Sequence, residues 1–281
     1  AIIDKITRAE VAVSLGVDAV IELPLVFSLS SAEDFAFGAI KTASSIHCAK
    51  RIIMGSECGD ITLLSQTANH LLNQKTSSKV KVALKQGVSV GTSIISSLEE
   101  PFKTVMSSPN NILAVEYLKA IKSQNSRLDA VTIKRVGGYN DLKLNNFASA
   151  SAIREKIFAK DYSSLNGNLP ELMLEKLKNS PTLNDYKLFS MIYYNLLSTP
   201  LSTLSNISGV SEGLEFGIKK HIICSSTLDE LIENLSSKRY PKSKIRRILL
   251  NSLFNITKEV CLRTKTSPLY LKVLAVGQNK N

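Results

Sequence analysis

Short polar runs that follow apolar ones stand where chemistry on a nucleotide could occur. Gly55-Ser56-Glu57 comes directly after Arg51-Ile52-Ile53-Met54, which reads as a strand. Its backbone therefore lies at a carboxyl strand end, where ligands of parallel sheets bind. Glycine lets a nucleotide approach that backbone closely, and the same residue also serves as ordinary turn punctuation. Ser108-Pro109-Asn110-Asn111-Ile112 puts two amides at a helix start. Side-chain oxygens there can cap the helix, and free donors can meet a nucleotide. One cap residue would suffice, so the doubled Asn after Pro points beyond capping alone.

Cations stand near the same edges. Arg135 comes late in the strand-like run Ala130–Val136. Its guanidinium would project from the carboxyl edge toward a phosphate, or join a surface ion pair; both readings fit. In Ala148-Ser149-Ala150-Ser151-Ala152-Ile153-Arg154, two hydroxyls lead into a helix whose first turn carries an arginine. Hydroxyls, free N–H groups and a cation suit an anion, while plain serine capping explains the same run. The densest run is Lys238-Arg239-Tyr240-Pro241-Lys242-Ser243-Lys244-Ile245-Arg246-Arg247, six cations in ten positions with no acid. Binding to a nucleic-acid backbone is its natural chemistry, against the alternative of a solvated helix face.

Other chemistries lack their residues. His47, His70 and His221 are too scattered for any two to share a metal, and no HExxH, Ser-His-Asp order or Walker motif is present. Cys48, Cys58, Cys224 and Cys261 form no CxxC pair and read as reduced thiols. No apolar run of about 18 residues offers a membrane span, and the opening residues lack the layout of a signal peptide. A cytoplasmic protein with no membrane partner follows.

The elements that must position these runs are legible in outline. Thr7-Arg8-Ala9-Glu10 has the form of a capping box opening a helix that Gly16 closes. Val17 to Leu23 is β-rich and stopped by Pro24, and Ser31-Ala32-Glu33-Asp34 opens another helix. Strands at Val17–Leu23, Arg51–Met54 and Ala130–Val136, separated by helical stretches, predict a parallel sheet with helices on both faces. From Asp161 on, the spacing predicts helices without strands. The expectation is two domains: residues 1–165, an α/β part, and residues 166–281, a helical, basic part. Charge supports the division. The net charge is +11, and from Tyr186 to Asn281 there are 14 Lys and Arg against 6 Asp and Glu, an excess suited to a polyanion.

Taken together, Lys5-x-x-Arg8-Ala9, Gly16-Val17-Asp18-x-Val20-Ile21-Glu22-Leu23-Pro24, Phe35-Ala36-Phe37-Gly38-Ala39, Gly55-Ser56-Glu57, Pro109-Asn110-Asn111-Ile112-Leu113 and Lys238-Arg239-Tyr240 resemble the bacterial tRNA(Met) cytidine acetate ligase family across nearly the whole chain. The resemblance implies a Rossmann-like nucleotidyltransferase domain followed by an all-helical C-terminal domain. It also implies an enzyme that uses ATP, with magnesium, to activate acetate as acetyl-adenylate and then acetylates the wobble cytidine of elongator tRNA(Met). It implies no protein partner. Carried over residue by residue, it puts Gly55, Asn110, Arg135 and Val136 at the ATP, with Asn111 as a neighbour. Ser149, Ser151 and Arg154 are retained from the superfamily's ISSTxIR phosphate motif, in which Ala148 and Ala150 replace Ile and Ser. Lys238, Arg239, Lys242, Lys244, Arg246 and Arg247 are the expected tRNA contacts.

The family's first strand and His-x-Gly-His loop have no counterpart in this sequence, so the catalytic residues are unassigned. The chain reads as an N-terminally truncated form, inactive alone, because that loop stabilises charge on the triphosphate. Two alternatives stay open at this point: a non-catalytic tRNA-binding paralogue, and a small-molecule adenylyltransferase.

Overall fold

The computed structural model describes residues 2–73, 93, 95, 98–135, 148–181 and 185–277. The chain divides into two compact units, each assembled from separated stretches: Ala1–Glu22 with Arg135–Asn184 and Leu271–Asn281, and Leu23–Lys134 with Asp185–Tyr270.

In the first unit, helix α1 (Lys5–Ser14) opens on Asp4, whose carboxylate accepts from the N–H groups of Ile6 and Thr7, both at 2.9 Å. The expected capping box at Thr7 is thus displaced by an acid one turn earlier, which has the negative charge the helix start favours. Gly16, at φ +101°, closes the helix as expected. Strand β1 (Ala19–Glu22) does not join a parallel sheet. It pairs antiparallel with a strand near the other end of the chain, Lys272–Val276, numbered β4 below, in a register that matches Ala19 to Val276. At the end of β1, Glu22 receives Lys5 Nζ at 2.5 Å and Lys272 Nζ at 3.1 Å. The Lys5 and Glu22 of the two leading motifs therefore meet each other.

The second unit begins with α2 (Leu25–Ser28), α3 (Ala32–Ser44), β2 (Arg51–Ser56), α4 (Ile61–Asn73), α5 (Phe102–Val105), α6 (Pro109–Ser123) and β3 (Asp129–Lys134). β2 and β3 are parallel and in register from Arg51↔Asp129 to Ser56↔Lys134, with the helical return that parallel strands require. Met54, Leu64, Ala68, Ala114, Val115 and Leu118 bury one face of this sheet against α4 and α6. Ile53, Val131 and Ile133 on the other face are exposed, so among the described residues helices cover one face of it and not both.

The chain then returns to the first unit with α7 (Ala150–Phe158) and α8 (Glu171–Asn179). There Ile3, Ile157, Leu165, Leu174 and Leu177 form a small core. The second unit resumes with six helices: α9 (Asp185–Ser198), α10 (Leu201–Asn206), α11 (Leu214–Ile222), α12 (Leu228–Leu235), α13 (Lys242–Leu253) and α14 (Lys258–Thr266). Their apolar faces meet in a core that includes Ile192, Leu196, Ile218, Leu231, Ile245 and Ile248. The protein is thus α/β with a small parallel sheet and a long helical part, as read from the sequence. The strand β4 is the departure: the C-terminal stretch is not helical throughout.

Within the second unit, Lys41 on α3 donates to three carbonyls at the end of α14, those of Thr264 (3.2 Å), Lys265 (2.7 Å) and Ser267 (2.7 Å). Helix ends leave such carbonyls without intrahelical partners, and a cation there is favoured by the helix dipole. Asp34 adds an ion pair to Lys265 at 2.5 Å. On the same helix, Gly38 faces Phe27, and a Cβ at this position would lie 2.1 Å from the ring. The glycine of the Phe-x-x-Gly-Ala run is therefore a packing requirement, with Phe27 fully buried against it. Replacing Gly38 by Val should overpack this contact and cost about 1–3 kcal/mol, read as a lowered thermal midpoint; an unchanged midpoint would show that Phe27 has room to move.

Candidate functional site

The loop after β2 and the start of α6 hold each other. Asn110 and Asn111 sit in the first turn of α6, whose N-cap, Ser108, makes no side-chain capping bond. The capping group comes instead from Glu57, 53 residues earlier. One carboxylate oxygen accepts from the Asn110 N–H at 3.2 Å and from Asn110 Nδ2 at 2.7 Å, and the other accepts from the Asn111 N–H at 2.8 Å. Asn111 returns the arrangement. Its buried Oδ1 accepts from the N–H groups of Glu57 (2.9 Å) and Cys58 (3.1 Å).

The rest of the loop is pinned to β3. The buried Ser56 hydroxyl lies 2.7 Å from Thr132 Oγ1 and accepts from the Gly59 N–H at 3.0 Å. Gly59, at φ +67°, presses on Lys134, where a Cβ would come within 2.7 Å of the lysine's own. Only a residue that tolerates both the left-handed backbone and the close approach fits there. The exposed Gly55 backbone is thereby fixed at the carboxyl ends of two parallel strands, the position at which such sheets receive ligands.

The amides at the start of α6 are thus already engaged with protein. Asn111 is a buried structural residue, and Asn110 is part-exposed with its Nδ2 donating to Glu57. Glu57 is the residue whose role the sequence conceals: it stands in a recognisable run, yet nothing local shows that it caps a helix far along the chain.

Burial pushes the Glu57 carboxyl up, but the Asn110 side chain and the backbone N–H groups of Asn110 and Asn111 outweigh it and leave the group below its ordinary 4.5. A lowered folded-state value means stability that is complete above about 4.5 and is lost as pH falls through the folded value.

The other expected ATP contacts are placed less closely. Arg135 is exposed and stands just past the end of β3, which stops at Lys134. Val136 lies outside the described residues. Ser149, Ser151 and Arg154 belong to the first unit, whereas Gly55, Asn110 and Asn111 belong to the second. Ser149 caps α7 by accepting from the Ala152 N–H at 3.1 Å, and Arg154 donates to Ser151 Oγ at 3.1 Å. The capping reading of Ser149 therefore holds, while the Arg154 guanidinium faces solvent.

The basic run spans the turn into α13. Arg239 pairs with Glu212, Lys242 with Glu233, and Arg246 with Asp229 at 3.0 Å. Lys244 instead lies over the Tyr240 ring, 4.1 Å from its centroid. Burial first, and the nearby Arg239 and Arg247 charges after it, lower the Lys244 pKa. Burial alone lowers that of Arg247. Tyr240 is itself buried, its hydroxyl held by Ser211, so it supports Lys244 from below and is not a free stacking surface.

Replacing Glu57 by Ala should cost roughly 2 kcal/mol of stability, the range for hydrogen bonds to a charged group. For Glu57→Gln the loss should be present at pH 7 and shrink below about pH 4.5. Denaturant midpoints of both proteins across that range check this, and a gap that stays constant with pH would contradict it.

A family model described as HIGH Nucleotidyl Transferase matches residues 1–281. The tRNA(Met) cytidine acetate ligase of Clostridium perfringens is 36% identical over 291 residues, covering 98% of this chain and 72% of that protein. The protein of the same name from Clostridium novyi is 39% identical over 292 residues, again with 98% and 72% coverage. Among solved structures, Thermotoga maritima TmcAL without ligand superposes with a TM-score of 0.90 at 29% identity, covering 98% of this chain and 70% of that one. The same protein bound with alpha-thio ATP gives a TM-score of 0.86, with 98% and 69% coverage. With one family model spanning its full length and such identity to these relatives, this chain belongs to the HIGH nucleotidyltransferase family and, within it, to the tRNA(Met) cytidine acetate ligases.

Proposed function

We propose that this chain carries the nucleotide-edge and tRNA-contacting parts of an ATP-dependent ligase that acetylates the wobble cytidine of elongator tRNA(Met). The observation that carries the reading is the braced Gly55 edge at the ends of β2 and β3, in a chain whose structural relative is solved with alpha-thio ATP. In the first step an acetate oxygen attacks the α-phosphorus of ATP and pyrophosphate leaves, giving acetyl-adenylate. In the second, the cytidine N4 attacks the acyl carbon, AMP leaves with the bonding pair, and the nitrogen loses a proton. Gly55 and Asn110 lie against the nucleotide, and Arg135, directly after the end of β3, counters phosphate charge. No general base is assigned.

Among the described residues no group of three or more His, Cys, Asp and Glu is placed to hold a metal ion. Nor is any helix among the described residues long and apolar enough to cross a membrane.

The basic run grips tRNA unequally. Arg239, Lys242 and Arg246 each form an ion pair with an acidic neighbour, whereas Lys244 and Arg247 are half-buried and make no ion pair among the described residues, Glu212 acting on Lys244 only from a distance. A half-buried cation outside any ion pair is primed for a phosphate oxygen.

Two measurements test the proposal. Label should pass from acetate to tRNA(Met) only in the presence of ATP; transfer independent of acetate activation would overturn the assignment. Replacing Lys244 and Arg247 together by Ala should lower the slope of log affinity against log salt for tRNA by roughly two units, one for each lost phosphate contact. Lys242→Ala with Arg246→Ala should lower it less. Arg135→Ala should weaken ATP binding and leave tRNA affinity unchanged.

A further inference from the structure

Within the second unit, a half-open cavity of about 280 Å³ lies between the starts of α9 and α12. Its walls are Tyr186, Phe189 and Leu228, and its rim carries Asp185 and Asp229. Phe189 and Leu228 are buried and form an apolar floor, whereas Tyr186 is 78% exposed. That ring stands free at the cavity mouth, and its hydroxyl has no partner among the described residues.

The polar groups of the rim are unequal. Thr227 Oγ1 is taken by the Glu230 N–H at 3.2 Å, and the Ser226 N–H is taken by the Glu230 carboxylate at 2.7 Å. Asp229 is neutralised by Arg246 at 3.0 Å. The acceptor left over is Asp185, whose carboxylate has no partner among the described residues. At about 280 Å³ the space is at the small end for ligand sites and suits one ring system, not a nucleoside triphosphate.

We infer that this cavity seats one unpaired nucleobase of a bound RNA. The base stacks on Tyr186 over the Phe189 and Leu228 floor, and its exocyclic amine donates to Asp185. Placement argues for a base: the Arg246–Asp229 pair makes the rim of the cavity continuous with the basic helix α13. A strand whose phosphates follow that helix would therefore present a base at the cavity mouth. The regional surplus of cations, 14 against 6 from Tyr186 onward, opposes a cationic occupant. Aromatic stacking of this kind tolerates any base, and the lone carboxylate supplies a preference for those that carry an exocyclic amine, which uracil lacks.

The inference rests on the reading of α13 as a tRNA contact, and the test separates the two. Affinity for elongator tRNA(Met) is measured at several salt concentrations with the unsubstituted chain, Tyr186→Ala, Tyr186→Phe and Asp185→Asn. Tyr186→Ala should weaken binding roughly tenfold at every salt concentration without changing the slope, since a neutral ring displaces no counterions. Tyr186→Phe should bind as the unsubstituted chain does, and Asp185→Asn should reduce a preference for oligocytidylate over oligouridylate. Full affinity in a folded Tyr186→Ala chain, or a change in its salt slope, would overturn the base seat and leave the tRNA reading standing. No salt-dependent tRNA binding by the unsubstituted chain would take down both.

Discussion

Everything at the Gly55 edge depends on the exchange between Glu57 and the start of α6. Two sets of backbone donors, those of the loop after β2 and those of the first helical turn, have no partner within their own elements. Each finds one on the other side: the Glu57 carboxylate takes the helix donors, and Asn111 Oδ1 takes the loop donors. A buried donor left alone would cost about 1–3 kcal/mol, so neither half is satisfied without the other. With Ser56 and Gly59 tied to β3, the loop cannot drift from the strand ends. The glycine edge is consequently held by the protein's own hydrogen bonds, which on the proposed function would spare a nucleotide the cost of ordering it.

The elements whose signals are local were legible in the sequence. Arg51–Met54 and the run from Ala130 announced strands by composition, and Gly16 announced a helix end by its place after an apolar run. The motifs were visible too, and their separations in the chain pointed to the family. What escaped were relations between distant residues. Glu57 and Asn110 are 53 positions apart, and no period links them. β1 was read correctly as a strand, but its partner β4 lies at the far end, inside a stretch whose lysines and helical neighbours masked it. The doubled Asn was suggestive for a reason only the structure supplies: one of the pair, Asn111, is turned inward to hold the loop, and the other shares Glu57 and faces out.

Charge shows the same limit. Six cations in ten positions look equivalent on the page, yet three are paired with acids, Glu212 in the turn before α11 and Glu233 and Asp229 on α12, and two are half-buried outside any ion pair. The aromatic residue between them is a support for Lys244, and a freely exposed ring is found elsewhere, at Tyr186 on α9. Charge density in a sequence marks a surface; the pairing on that surface decides which of its charges remain to meet a polyanion.

The three carbonyls that Lys41 closes belong to residues more than 220 positions later, and β1 likewise completes its ladder only with β4. Residues are made in chain order, so α3 emerges long before α14 exists. Lys41 and Asp34 wait in solvent until α14 has been made, and β1 waits as an unpaired edge until β4 has been made. Contacts of such separation carry a high closure entropy and form late. The stretch from β1 to α3 therefore stays open to proteases and chaperones until α14 and β4 have been made, and a product ending before α14 would have neither contact closed.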